Sequence, residues 1–331
     1  MVNRPETEIL IVGGGTAGWM TAALLSRLLG IAVKIRLIES EAIGSVGVGE
    51  ATIPAIQHFN AVLGIPEAEF LQATQGTIKL GIQFEHWGKQ GDSYMHAFGP
   101  VGRQLGVTSF HHYWLAAQAR GDTSSFWDYS LNYQAAKTGK YAPLPQVPNT
   151  PLQGLVHAYH FDASLYAALL RRYSEQLGVQ RTEGTIASVN KTTSGDIASV
   201  TLQDGSSYKA DLFIDCSGLR ALLIGQELNV GYEDWRHWLP CDTALAVPSE
   251  AILPIMPYTR SIAHAGGWRW RIPLQHRTGN GLVYSSQFLT DDTARNTLLH
   301  NLDAPALAEP RKISFVTGRR KLQWARNCIA I

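Results

Sequence analysis

Apolar residues come in short dense runs along this chain, broken by glycine-rich turns, and the runs change period from place to place. Ile9-Leu-Ile-Val12 is continuously apolar, as a parallel strand buried on both faces requires. Residues 19–29 then carry a helix-like apolar stretch that closes at Gly30. A second apolar run over residues 33–38 ends in Glu39. Together these predict a strand, a helix and a strand within the first forty residues or so. Further on, Thr77 to Phe84 alternates like a strand, and residues 162–177 show helical spacing through Leu165, Leu169, Leu170 and Tyr173, with Gly178 beyond the end. Residues 199–208 read as a hairpin turning at Asp204-Gly205, followed by an apolar strand within 209–218 that ends near Asp215 and Gly218. Residues 86–150 are irregular and loop-rich, closing in a proline-rich piece at 141–151 that no helix interior tolerates. A further β-rich region spans 232–290. No internal repeat or low-complexity tract appears.

Chemistry enters at the first turn. Gly13, Gly15 and Gly18 satisfy G-x-G-x-x-G between the first strand and its helix, and Glu39 lies 21 residues after Gly18. The glycines allow a tight turn and close backbone approach. The helix N-terminus, with Thr16 and Ala17, faces a pyrophosphate, and Glu39 can accept a ribose hydroxyl. This is a Rossmann-like dinucleotide-binding fingerprint. The return to an apolar strand at 209–218 after a long excursion favours FAD over NAD. Residues 46–54 add Gly47 and Gly49, which let backbone approach a ring or diphosphate, and Thr52-x-Pro54 starts another helix.

Two more features ask for a use. Trp268-Arg-Trp270-Arg-Ile272-Pro273 places two indoles on one strand face, a broad rigid wall whose N–H groups need partners if buried. Taken alone, an ordinary aromatic core ladder explains it more readily. Lys79 sits among apolar neighbours. On a surface it would snorkel; buried, it would have a lowered pKa and act as a nucleophile or donor.

Composition narrows the classes. Lys+Arg number 28 against Asp+Glu 27, so no basic field suggests nucleic acid and no like-charge block suggests a tail. Cys216, Cys241 and Cys328 have no metal-ligand spacing, which points to no metal and to a reducing cytoplasm. No leader and no long apolar span is seen, so no membrane partner is expected. Nine tryptophans is a high count, and most lie outside the nucleotide core.

The glycine turn with Trp19, Gly47-Val48-Gly49-Glu50-Ala51-Thr52, Lys79-Leu-Gly-Ile and the Trp268/Trp270 motif resemble the flavin-dependent halogenases of the tryptophan halogenase type, over essentially all of the chain. The resemblance implies an α/β FAD-binding fold of the aromatic-monooxygenase type with an inserted β-rich substrate region. It implies that residues 1–85 are the first FAD-binding part and 86–178 an irregular and helical insertion. Residues 179–225 return to the FAD-binding domain, 226–310 form the tryptophan-bearing β-rich region, and 311–331 begin a final return. FAD contacts would come from Gly13, Gly15, Thr16, Ala17, Gly18, Glu39, Val48 and Ala51. A separate reductase would supply FADH2, a flavin hydroperoxide would oxidise halide to hypohalous acid, and Lys79 would hold that oxidant beside an indole, tryptophan or other electron-rich aromatic. Trp268 and Trp270 would wall off the flavin side, and His96, Phe98 and Pro100 would fall in the substrate pocket. A homodimer is the oligomeric state to consider. The family also has a glycine-rich segment contacting flavin and halide, a glutamate partnering the lysine and a helical C-terminal region. None of these falls within the 331 residues, and Asn327 to Ile331 reads as an interior strand, so the chain reads as a truncated gene or a fragment of a longer enzyme. Glu50 and Glu85 are near the lysine in sequence, without a reason to assign either the missing role. Two other readings stay open: a flavin monooxygenase that hydroxylates its aromatic, and a truncated flavoprotein without turnover.

Overall fold

Residues 7–43 and 50–331 are described by a computed structural model. Strand β1 (Thr7–Val12), helix α1 (Thr16–Leu29) and strand β2 (Val33–Glu39) open the chain as the apolar pattern predicts, with the helix beginning one turn earlier than its apolar residues. The chain continues through β3 (Glu50–Ala51), α2 (Ala55–Leu63), α3 (Glu67–Ala73), β4 (Thr77–Lys79), β5 (Gly81–Glu85) and β6 (Ser93–Ala97). The stretch expected to be irregular holds two helices, α4 (Phe110–Gln118) and α5 (Leu131–Lys137). Their short, aromatic-rich turns carry little of the periodicity that would reveal them. Next come β7 (Ala158–Phe161), α6 (Ala163–Gln176), β8 (Gln180–Glu183), the meander β9 (Ile186–Lys191), β10 (Ile197–Leu202) and β11 (Ser207–Tyr208), and β12 (Leu212–Asp215). The last third is β13 (Tyr232–Asp234), β14 (Thr243–Ser249), β15 (Thr259–His264), β16 (Gly267–Pro273), β17 (Thr278–Tyr284), α7 (Asp291–His300), β18 (Arg311–Ser314), β19 (Gly318–Arg320), β20 (Trp324–Ala325) and β21 (Cys328–Ala330).

A six-stranded sheet in the order β20-β21-β12-β1-β2-β8 is parallel apart from its β20 edge. Both faces are covered, which is why β1 is apolar at successive positions. Ile9 and Ile11 face α1 and α6 through Trp19, Ala22, Tyr166 and Leu170; Leu10 and Val12 face the β9–β11 meander through Val200 and Leu202. Asp162 caps α6, accepting from the N–H groups of Ser164 and Leu165, so the polar residue that opens the helical pattern also starts the helix.

The second large unit is a seven-stranded sheet, β18-β14-β17-β16-β15-β5-β6, antiparallel except where β15 runs beside β5. Helix α7 packs on one face over Leu245, Leu282 and Tyr284. A small sheet, β3-β7-β4, joins the units, and the single strand anticipated over 77–84 breaks at Leu80 so that β4 pairs with β7 while β5 enters the large sheet. The break leaves Lys79 at the end of one sheet, with Leu80 between it and the start of the other.

Candidate active site

The glycine turn is built for close approach. Gly13 has φ +111°, and a Cβ there would meet the Cys216 carbonyl oxygen at 2.3 Å. A Cβ on Gly18 would fall 1.9 Å from the Gly13 carbonyl oxygen, so helix and strand can touch only through glycine. Gly15 differs: a Cβ would meet nothing within 4 Å. It is the N-cap of α1 without a capping side chain, and the free N–H groups of the Thr16-Ala17 turn border that open space. The turn lies where β1 and β12 diverge at their carboxyl ends, the switch point at which open α/β sheets bind ligands. Beside it a cleft of about 1100 Å³ is lined by Gly218, Ala221, Tyr232, Phe315 and Ile331. The glycines of the turn and the N–H groups that open α1 fit a dinucleotide diphosphate.

Glu39 is held from two sides. Its Oε2 accepts from the Trp19 indole at 3.2 Å and its Oε1 from Arg181 Nε at 2.5 Å. An ionised carboxylate has about four lone-pair sites, so it can still accept a ribose hydroxyl. Asp215 takes a structural role: buried, it accepts from Leu223 and Ile224 N–H groups at 2.8 and 2.9 Å and fixes the helical turn after β12. Ala51 lies in β3 opposite His160. Val48 lies outside the described residues, together with the glycines that flank it.

Lys79 is the chemically distinctive side chain. It is 3 % exposed, its Nζ donates to the Thr52 main-chain carbonyl at 2.9 Å, and among the described residues no carboxylate pairs with it. Burial alone pushes its pKa down to about 8. The ammonium lies 5.5 Å from the centre of the Phe98 ring, and exposed His96 meets Phe98 edge-on at 6.4 Å. The structure therefore gathers Lys79, Phe98 and His96, with Pro100 exposed on the loop that follows. Phe98 is itself buried in the core.

His160 belongs with them, and the sequence reading passed over it. Register places it opposite Thr77, on the face of the small sheet that carries Lys79. The Thr77 hydroxyl donates its one proton to the Pro273 carbonyl at 2.6 Å, so at 3.0 Å from His160 Nδ1 it must accept. Nδ1 therefore carries the proton, and Nε2 accepts from the Thr259 hydroxyl at 2.9 Å. The ring is locked neutral, and burial, followed by the charge of Lys79, holds its pKa well below the usual imidazole value. Through Thr77 the lysine strand is tied directly to Pro273, the last residue of the tryptophan strand, and through His160 it is tied to Thr259 of β15. One polar residue in Ala158-Tyr-His-Phe161, otherwise part of a buried strand, was the available signal.

Trp268 and Trp270 do share a face of β16, ring centres 6.0 Å apart and tilted by 55°. Trp270 lies flat on Gly281 of the neighbouring strand. Its buried N–H has no partner among the described residues, while the wall continues through Trp87, 6.2 Å from Trp268, to Phe84 and Tyr94. Phe84 and Trp87 join only because β5 is brought beside β15.

The fold and the glycine turn define an α/β protein that receives a dinucleotide at the head of a parallel sheet. The chain belongs to the tryptophan halogenase family, whose model matches residues 8–331. It is 36% identical to a tryptophan 7-halogenase, RebH, from Lentzea aerocolonigenes, covering 98% of this chain and 64% of that protein. It is 35% identical to a tryptophan 6-halogenase, ThaL, from Streptomyces albogriseolus, covering 100% of this chain and 65% of that one. Among solved structures, Xcc4156, a flavin-dependent halogenase from Xanthomonas campestris, superimposes with a TM-score of 0.94 at 50% identity, over 99% of this chain and 66% of its own. BrvH, a flavin-dependent halogenase from Brevundimonas sp. BAL3, gives 0.93 at 45%, over 99% and 67%. The chain thus spans about two thirds of the length of the relatives it matches.

Proposed function

We propose that this chain serves the FAD-dependent halogenation of an electron-rich aromatic such as an indole or tryptophan. The observation that carries the reading is Lys79, buried and desolvated beside Phe98, in a chain of this family. Bound reduced FAD, supplied by a separate flavin reductase, would furnish with dioxygen the oxidising power that turns halide into hypohalous acid. The protein's part is to hold the cofactor, confine the oxidant and aim it.

Gly13, Gly15 and Gly18 with the Thr16-Ala17 turn cradle the diphosphate, and Glu39 takes the ribose. Trp268 and Trp270 supply a rigid apolar wall that keeps organic substrate from the cofactor side. Lys79 receives the oxidant. Its neutral amine can hydrogen-bond hypohalous acid, or displace water from it to form a haloamine; the aromatic ring then takes the halogen and returns a proton to the amine. Only the unprotonated amine can form the nitrogen–halogen bond. With a pKa of about 8, about a tenth of it is neutral at pH 7, against about one part in three thousand for an ordinary lysine. Desolvation thus favours this chemistry roughly three-hundredfold by population alone. His96, Phe98 and Pro100 border the place where the acceptor ring would lie.

The test supplies FAD, a flavin reductase, NADH, oxygen and bromide with indole, and reads products by mass spectrometry. The expected result is a brominated product with its paired isotope pattern, lost in Lys79→Ala. An oxygenated product formed without bromide would overturn the reading in favour of a monooxygenase. No product from flavin-loaded chain would overturn it in favour of a non-catalytic flavoprotein.

A further inference from the structure

The small sheet β3-β7-β4 sets Thr52 and Lys79 on the two sides of one strand, β7. Along one edge of β7, Glu50 stands opposite Phe161 and Ala51 opposite His160, and Thr52 follows opposite Tyr159. Along the other edge, Ile78 stands opposite Tyr159 and Lys79 opposite Ala158. A hydrogen-bonded pair in an antiparallel ladder exchanges two main-chain bonds, N–H to C=O in each direction. At Thr52 and Tyr159 the first is made, the Thr52 N–H donating to the Tyr159 carbonyl at 3.0 Å. The second is replaced. The Tyr159 N–H donates to the Thr52 hydroxyl oxygen at 3.1 Å, and that hydroxyl gives its own proton to the Tyr159 carbonyl at 2.8 Å.

A side-chain oxygen thus stands in for the main-chain carbonyl that the ladder would otherwise use. The Thr52 carbonyl is left over, and it accepts from Lys79 Nζ at 2.9 Å. The ladder ends here because Pro54 follows and opens α2. An amine that gives one N–H to a fixed carbonyl turns its lone pair away from that carbonyl. The contact that steadies the ammonium therefore also aims the neutral form. The titratable neighbour of the amine on β7, His160, is neutral, so no charge there takes over the carbonyl's part.

We propose that Thr52 is the positioning residue for Lys79: its hydroxyl replaces its own carbonyl in the β3–β7 ladder and so frees that carbonyl to hold and aim the lysine amine. The proposal rests on the reading of Lys79 as the group that receives the oxidant, and it adds the residue that sets the amine's orientation.

NMR of the full chain carrying lysine labelled with 13C at Cε tests it. The Lys79 resonance is the one missing from Lys79→Met, and its titration midpoint is expected near pH 8. In Thr52→Val the Tyr159 N–H has no hydroxyl to bond and reclaims the carbonyl. The ammonium then loses its acceptor, and the midpoint should fall by about one pH unit or more. Thr52→Ala should reproduce the fall with a smaller side chain, which separates loss of the hydroxyl from a packing fault peculiar to valine. Thr52→Ser keeps the hydroxyl and should restore the original midpoint. A midpoint unchanged or raised in the valine and alanine variants, or lowered as far in Thr52→Ser, would overturn the proposal. Failure of both hydroxyl-free variants to fold, where Thr52→Ser folds, would also overturn it and make the hydroxyl a support of the sheet alone. Because the amine itself is read, absence of bromination leaves this result standing, and absence of a shift leaves the bromination test standing.

Discussion

Lys79 Nζ and the main-chain carbonyl of Thr52 are joined by a 2.9 Å hydrogen bond, and among the described residues that bond is the ammonium's only polar anchor. A cation buried against one dipole is poorly compensated, and the deficit sets both its reactivity and its effect on stability.

The native state therefore binds fewer protons than the unfolded state between about pH 8 and pH 10.5. The burden on the fold is fully present below pH 8, at about 3 kcal/mol, and lifts as pH rises towards 10.5. Lys79→Met removes the charge and keeps the stem, at the cost of an orphaned Thr52 carbonyl. Its unfolding free energy at pH 7 should exceed that of the unsubstituted chain by roughly 1–2 kcal/mol while the proposed halogenation is lost. Urea unfolding measures this, and a destabilised Lys79→Met would show that the lysine is not held desolvated.

His160 gives a pH signature of its own on the acid side. Its folded pKa lies well below the ordinary 6.5, so the unfolded chain takes up a proton that the native ring refuses. Stability should fall as pH drops below 6.5, with a slope approaching about 1.4 kcal/mol per pH unit from this residue. His160→Gln should flatten that part of the profile, and His160→Ala should cost about 2–4 kcal/mol at pH 7 by emptying the site and stranding the Thr259 hydroxyl. Chemical unfolding between pH 5 and 7 would check both.

Gly13 and Gly15 should separate folding from cofactor binding. Gly13→Ala places a methyl group 2.3 Å from a backbone oxygen at φ +111°, and should lower the unfolding temperature markedly. Gly15→Val meets nothing in the chain, so unfolding should move by about 1 kcal/mol or less while FAD affinity falls about tenfold or more. Thermal unfolding and flavin-fluorescence titration of the two variants give the comparison.

Gly281→Ala tests how Trp270 is seated. The new Cβ would sit 1.9 Å from the indole, so the ring must leave β17 or the strands must part. A loss of about 1–3 kcal/mol is expected from overpacking, with a shift in tryptophan fluorescence and more uncoupled oxidation of NADH if the wall is breached. An unchanged emission spectrum would argue that the ring is not packed there.

The local pattern of this chain was enough for the βαβ unit, the glycine turn, the α6 helix, and the common face of Trp268 and Trp270. Those features depend on neighbours within a few residues, where period and turn chemistry act directly. Helices α4 and α5 escaped because their sequence has little period to read. What only the tertiary structure decided was burial and partnership between distant segments. The apolar setting of Lys79 allows a surface lysine as readily as a desolvated one. Closure of β4 against β7 and Thr52 removed water from its amine. The hydrogen bonds that join Thr77, His160, Thr259 and Pro273 bring together residues 83, 99 and 196 positions apart. Free energies of charge and hydrogen bonding depend on what surrounds a group in three dimensions, and no periodicity along a single strand encodes that.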